Sequence, residues 1–287
     1  NDFLKMQKQM QAFGSMGRKN DKKKGGGFFW KILFITALAV FCFSGYQLFA
    51  IYRGYKAGVD EYKEVEHQVV KESQEPLVLK DQPETAEDPE TLEAQAPDYQ
   101  PPEVDFEELK SMNPDVIGWL DVEALDISYP IVQGEDNDYY LHRTFRGQEN
   151  FAGSIFVDAS NAADFSDPNT IIYGHNMKNG SMFGTLRRLY DQEKYKDSKY
   201  LWICTPEGKF RYEIFSLQYA EVTSDTYTLF SDHGDTFASY LEDMRQRSQV
   251  DLGTEGLSGN DYIVTLSTCT SDDQVRFVVQ ARWVGTY

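Results

Sequence analysis

From residue 116 onward, short apolar runs recur between clusters of Asn, Asp, Gly and Pro. Residues 116–122, 127–132, 153–157, 170–173, 200–205, 210–222, 261–268 and 275–284 are rich in β-branched and aromatic side chains. Runs of this length, bounded by turn formers, read as strands. Helical spacing is scarcer. Residues 236–249 place Phe237, Tyr240, Leu241 and Met244 on one face, the signature of an amphipathic helix. Shorter helices are expected at 105–112, where Phe106 and Leu109 share a face, and at 136–141 and 182–190. About eight strands with peripheral helices predict a mainly β fold, a closed or nearly closed barrel.

The N-terminal third follows other patterns. Residues 32–52 form a 21-residue run without a charge, rich in Phe, Ile, Leu, Ala and Val, and about 20 such residues cross a bilayer as a helix. Residues 1–31 hold eight Lys/Arg against two Asp, which predicts a cytoplasmic N-terminus by the positive-inside rule. A cleaved signal peptide is the competing reading, but its apolar core is shorter and Gln47-Leu-Phe-Ala50 is a poor cleavage site. Residues 53–103 carry five basic and fourteen acidic residues. A short helix could continue to about residue 70, and 73–102 holds six of the ten prolines. Such a stretch buries too little apolar surface to offset chain entropy and reads as a disordered or extended tether. The expected organisation is therefore a basic cytoplasmic segment (1–31), a transmembrane helix (32–52), a tether (53–103) and an extracellular globular domain (104–287). The formal net charge of −18 argues against nucleic acid, and the basic start is a topology signal and an anionic-lipid contact.

Three cysteines do not make a disulfide framework in an exported domain. Cys42 falls in the apolar span, and Cys204 sits in an apolar strand run as a core residue. Cys269 is different: the strand that begins near Tyr262 ends in Ser267-Thr-Cys-Thr270, which delivers a thiol to a sheet edge. A thiol becomes a nucleophile when a base or cation raises its thiolate fraction. Two such groups are at hand. His175 follows the strand at 170–173 and a glycine, in a turn that can expose its ring. Arg276 lies near the start of the strand that follows Cys269 after a short polar turn, and only six residues separate the two. Arg282 shares its strand face but lies roughly 20 Å further along, at the far end. Of the other histidines, His67 reads as solvated, His142 as packing or capping, and His233 as a turn residue. No His/Cys/Asp cluster has metal-ligand spacing, and neither metal nor cofactor is expected.

Thr265-Leu-Ser-Thr-Cys269 resembles the TLxTC signature of sortases, the cysteine transpeptidases that attach proteins to Gram-positive cell walls. Tyr173-Gly-His-Asn-Met177, Met182-Phe-Gly184 and Arg276-Phe-Val-Val279 resemble the corresponding segments of class B sortases, over roughly residues 104–287. The resemblance implies an eight-stranded sortase-type β-barrel with peripheral helices, preceded by one transmembrane helix. It also implies His175, Cys269 and Arg276 as catalytic residues, with Tyr173 and Ser267 as candidate substrate contacts. A core aromatic and a strand-end hydroxyl bonding its own backbone are the plainer readings of those two. The implied substrates are secreted proteins with a C-terminal sorting motif of the NPQTN kind. The implied acceptor is an amine of a peptidoglycan precursor or a pilin. A hydrolytic cysteine peptidase and a non-enzymatic surface-binding domain are the other classes to separate from this one.

Overall fold

The computed structural model describes residues 26–71, 76–83, 99–190, 192–269 and 274–287. The basic stretch 1–25, residues 84–98 of the expected tether and the turn at 270–273 lie outside the described residues. Two compact units result, Asn1–Tyr52 and Arg53–Tyr287. Helix α1 (Gly26–Val69) carries the uncharged run. It is the one helix among the described residues long and apolar enough to cross a membrane, and its large apolar side chains from Phe28 to Tyr52 are exposed. A helix satisfies its own backbone polar groups, so such a surface suits lipid rather than water.

In the second unit, eight strands close into a barrel. They are β3 (Val116–Val122), β4 (Ile127–Val132), β5 (Ile155–Val157), β6 (Asn169–Tyr173), β7 (Tyr200–Thr205), β8 (Gly208–Glu221), β9 (Ile263–Cys269) and β10 (Val275–Thr286). Their order is β10-β8-β7-β3-β4-β5-β6-β9, closing on β10. These are the eight runs expected from the sequence, with ends moved by at most two residues. Closure leaves the barrel itself without an open edge. The pairs β4/β5 and β6/β9 are parallel and the other six are antiparallel.

Alternation along β9 and β10 divides their side chains between two environments. Val264, Leu266, Phe277, Val279 and Ala281 join the main core. The opposite face carries Thr265, Ser267 and Gln280, all buried, and is covered by helix α4 (Asp235–Arg247). On α4, Phe237, Tyr240, Leu241 and Met244 pack with Phe215 and Ile263. Each buried side chain of this size stabilises the docking by roughly 1.5–3 kcal/mol.

The last turns of α1 belong to the second unit, where Tyr62, Val65 and Val69 are buried in the core. The Tyr62 hydroxyl donates to Gly153 O at 2.9 Å and receives Phe145 N–H at 3.1 Å. Strand β1 (Val70–Lys71) then pairs with β2 (Glu103–Val104). Helix α2 (Phe106–Met112) follows, capped by Asp105, whose carboxylate accepts Glu108 N–H.

Two helices expected from the sequence are absent. Residues 136–141 form bends and turns, because Asp136 Oδ1 accepts the N–H groups of Asp138 and Tyr139 and so competes with helical bonding. At 182–190 only Leu186–Tyr190 is helical, as a 3-10 turn. Met182 before it has φ +53°, a left-handed conformation that no helix can pass through. One short helix, α3 (Gln192–Asp197), was not expected.

Candidate active site

The site is built at one end of three adjacent strands. β6 and β9 run parallel with Tyr173 beside Ser267, and Gly174 N–H extends the ladder to Ser267 O at 3.1 Å. His175, one residue on, therefore leaves β6 at the level where Cys269 ends β9. On the other side β9 pairs antiparallel with β10, and Arg276 is the direct partner of Cys269. Directly opposed residues in such a pair have Cα atoms about 4.5–5.5 Å apart. The backbone alone thus brings positions 175, 269 and 276 to one end of the barrel.

Local chemistry explains the histidine's bed. A Cβ on Gly174 would lie 2.5 Å from Ile155 Cδ1 and 2.6 Å from Phe183 Cδ2, so only glycine passes between β6 and the turn. The turn closes on itself, with Phe183 N–H donating to His175 O at 3.0 Å. The His175 ring is half-buried, and its Nε2 lies 2.8 Å from Leu141 O. A carbonyl oxygen only accepts, so Nε2 bears the proton and Nδ1 is the nitrogen that exchanges one. Gly153 makes room for this arrangement. A Cβ there would sit 2.6 Å from Leu141 O and 3.0 Å from His175 Cδ2. His142 stacks at 6.3 Å between ring centroids, 24° from parallel, and is exposed.

Arg276 is half-buried and donates from Nη1 to Val275 O at 3.1 Å. Arg282 is engaged elsewhere, giving both Nε and Nη2 to Glu213 Oε2 at 3.1 and 2.8 Å and facing Ile263 across the ladder. Tyr173 is held rather than loose. Its hydroxyl donates to Asp158 Oδ2 at 3.0 Å, an oxygen that also receives Asn137 Nδ2 at 2.9 Å. Burial and the adjoining Asp158 carboxylate push the phenol well above its ordinary pKa, so Tyr173 stays a donor. Ser267 Oγ, buried, lies 2.9 Å from the Tyr227 hydroxyl.

Cys204 is buried in the core and its thiol is pushed up by burial, then by Asp121. Such a thiol does not ionise at neutral pH. His233 packs in its turn, with Nε2 3.1 Å from Asp261 O, and His67 lies on α1, exposed. Three contributors escaped sequence reasoning: Leu141 O, Asp158 and Tyr227. A backbone carbonyl carries no residue signal. Asp158 and Tyr227 lie in turns whose composition is that of any loop.

Comparison with known proteins narrows the chemistry. A sortase-domain family model matches residues 120–284. Sortase B of Listeria monocytogenes is 34% identical over 267 residues, 90% of this chain and 97% of that protein. The crystal structure of sortase B from Bacillus anthracis is 31% identical with a TM-score of 0.64, and the match covers 82% of this chain and 100% of the other. A Staphylococcus aureus sortase B–substrate complex is 29% identical with a TM-score of 0.58, over 63% of this chain and 84% of the other.

Proposed function

The chain belongs to the sortase family of cysteine transpeptidases, in its class B, and from that premise we propose that Cys269, His175 and Arg276 carry the reaction. The observation behind this reading is the backbone register that sets Arg276 opposite Cys269 and brings His175 off the neighbouring parallel strand at the same level. Cys269 attacks, as a thiolate, a backbone carbonyl in the sorting motif of a secreted protein. The S–C bond forms as the carbonyl π electrons move onto oxygen, giving a tetrahedral intermediate whose oxyanion the Arg276 guanidinium stabilises. His175, protonated on both nitrogens, gives the Nδ1 proton to the departing amine, and the C–N bond breaks to leave a thioester on Cys269. An incoming amine gives its proton back to Nδ1 and displaces the sulfur. The new amide joins the protein to its acceptor. Leu141 O keeps the ring in one tautomer throughout, because it accepts from Nε2 in both protonation states.

Tyr173 and Ser267 flank the two reacting residues and serve as substrate contacts. Their partners Asp158 and Tyr227 hold them in one orientation, which lowers the ordering cost of binding. The favoured substrates are polar motifs of the NPQTN kind, and the acceptor is an amine of a cell-wall peptide or a pilin. The apolar part of α1 is a single-pass anchor with its N-terminus in the cytoplasm. It holds the enzyme on the outer side of the membrane, where both substrates arrive.

The test is the fate of the acyl group. The full chain in detergent is incubated with NPQTN-like and LPXTG-like peptides across a range of amine concentrations, and products are weighed by mass spectrometry. Amide product that rises with amine at the expense of free acid is expected, and it disappears in Cys269→Ala. Free acid alone at every amine concentration identifies a hydrolytic peptidase and contradicts this reading.

A further inference from the structure

Beneath α4, on the outer face of β6, β9 and β10, lies a closed ring of buried polar side chains. Thr265 Oγ1 donates to Asn169 Oδ1 at 2.7 Å. Gln280 Nε2 donates to Thr265 Oγ1 at 3.2 Å and to the Tyr240 hydroxyl at 2.9 Å. Asn169 Nδ2 completes the ring to the same hydroxyl at 3.4 Å, and Gln218 Nε2 supports Gln280 Oε1 at 3.1 Å. Asn169, Thr265 and Gln280 are wholly inaccessible to solvent (0% each). Burying amides and hydroxyls is costly unless each is bonded, and apolar residues would hold α4 to the barrel at least as well. A satisfied polar ring fixes one geometry where apolar packing alone would not.

Its two outward bonds show what it holds. Tyr240 donates to Thr226 O at 2.8 Å, and Asn169 Nδ2 donates to Thr228 O at 3.0 Å. These carbonyls belong to the residues on either side of Tyr227, whose hydroxyl meets Ser267 two positions before Cys269. The helical part of this segment, Asp225–Tyr227, is a single 3-10 turn whose N-cap Ser224 makes no side-chain capping bond; Arg247 of α4 holds Asp225 at its start, and the ring holds the carbonyls on either side of Tyr227.

We propose that the Asn169–Thr265–Gln280–Tyr240 ring is a positioning device for the sorting peptide: it clamps the backbone around Tyr227 so that Tyr227 stays on Ser267, two residues before Cys269. The inference rests on the transpeptidase reading above and extends it from the reacting atoms to recognition. Its members act on the peptide through Tyr227. Their loss is felt in peptide binding and not in the chemistry of Cys269.

Tyr240→Phe removes only the hydroxyl and keeps the ring stacked among Phe230 and Phe237. In the full chain in detergent, with an NPQTN peptide and an amine acceptor, KM is expected to rise about fivefold, the value of one lost hydrogen bond. The value of kcat and the alkylation rate of Cys269 by iodoacetamide stay within roughly twofold of the parent. Tyr227→Phe does the same, and the double variant is no worse than either single one, since both act through one contact. If the two effects multiply, or kcat and thiol reactivity fall while KM holds, the ring is merely structural and the proposal is overturned. An active parent whose KM ignores Tyr240→Phe overturns it as well. A parent inactive on every peptide removes the transpeptidase reading beneath it. Should Tyr240→Phe fail to fold, Thr265→Val cuts the same ring and carries the same expectation.

Discussion

Two arginines on one strand, 276 and 282, are expected to separate chemistry from stability at the level of single residues. Both lie on β10 with the same parity, yet Arg276 pairs with Cys269 and Arg282 with Ile263. Arg276→Ala is expected to lower kcat for peptide transfer by on the order of a hundredfold, as loss of an oxyanion donor does, with the unfolding midpoint little changed. Arg282→Ala is expected to do the reverse. It leaves the buried Glu213 carboxylate with Lys199 as its remaining ion-pair partner, costing about 1–3 kcal/mol in chemical denaturation, while kcat of the folded fraction is retained. The distinction was legible in the sequence from spacing alone, since six strand residues exceed the reach of one site. Tyr227 was not legible. Its role depends on the contact with Ser267, 40 residues away, and nothing in its neighbours announces that pairing.

Among the elements, the strands could be read because apolar, β-branched runs stop at turn formers, and the structure sorts their alternate positions into two environments. Val264 and Leu266 face the core, and Thr265 and Ser267 face α4 and its preceding turn. The failures lie where a side chain or a glycine overrides the backbone's default. Asp136 diverts two N–H groups from a helix, and Met182 adopts a left-handed conformation beside a close-packed Gly184. The segment that bears His175 depends on such constraints. Gly174→Ala is expected to force apart β6, Ile155 and Phe183, costing about 1–3 kcal/mol, and to lower activity further by displacing the ring from Leu141 O. Circular-dichroism melts together with turnover of the folded protein measure the two effects. Tyr62→Phe probes the same bed from α1. It removes the acceptor of Phe145 N–H and a donor to Gly153 O, all in a buried setting, and about 1–3 kcal/mol of stability is expected to go with them.

The acidic character of the whole molecule becomes energetic at Asp121. It is buried on β3, where it accepts from the Tyr99 hydroxyl at 2.6 Å. Burial pushes its carboxyl up to about 6, against the hydrogen bonds from Tyr99 and Ser128 and with help from Glu123 and Glu66. A carboxyl whose folded pKa exceeds its unfolded value binds the proton more tightly in the native state. Its contribution to stability is complete below the unfolded value of about 3.9 and is lost as pH rises through about 6. Asp121→Asn keeps the acceptor and removes the titration. Relative to this variant, the parent is expected to lose up to about 3 kcal/mol between pH 4 and pH 7, read from denaturant midpoints at each pH. A constant difference across that range would contradict the assignment. The sequence offered no warning of this group, because Asp121 sits in a strand run where alternation alone predicts half-exposure. It is Tyr99, within the expected tether, whose hydroxyl closes over it.

Acylation of Cys269 by a sorting peptide can be read directly by intact-protein mass spectrometry. The full chain is mixed with an NPQTN peptide in the absence of amine and quenched early. A mass increase equal to the acyl fragment is expected, mapped to the peptide containing Cys269, released by hydroxylamine and absent in Cys269→Ala. Product formation with no hydroxylamine-sensitive adduct, or an adduct that survives Cys269→Ala, would contradict it.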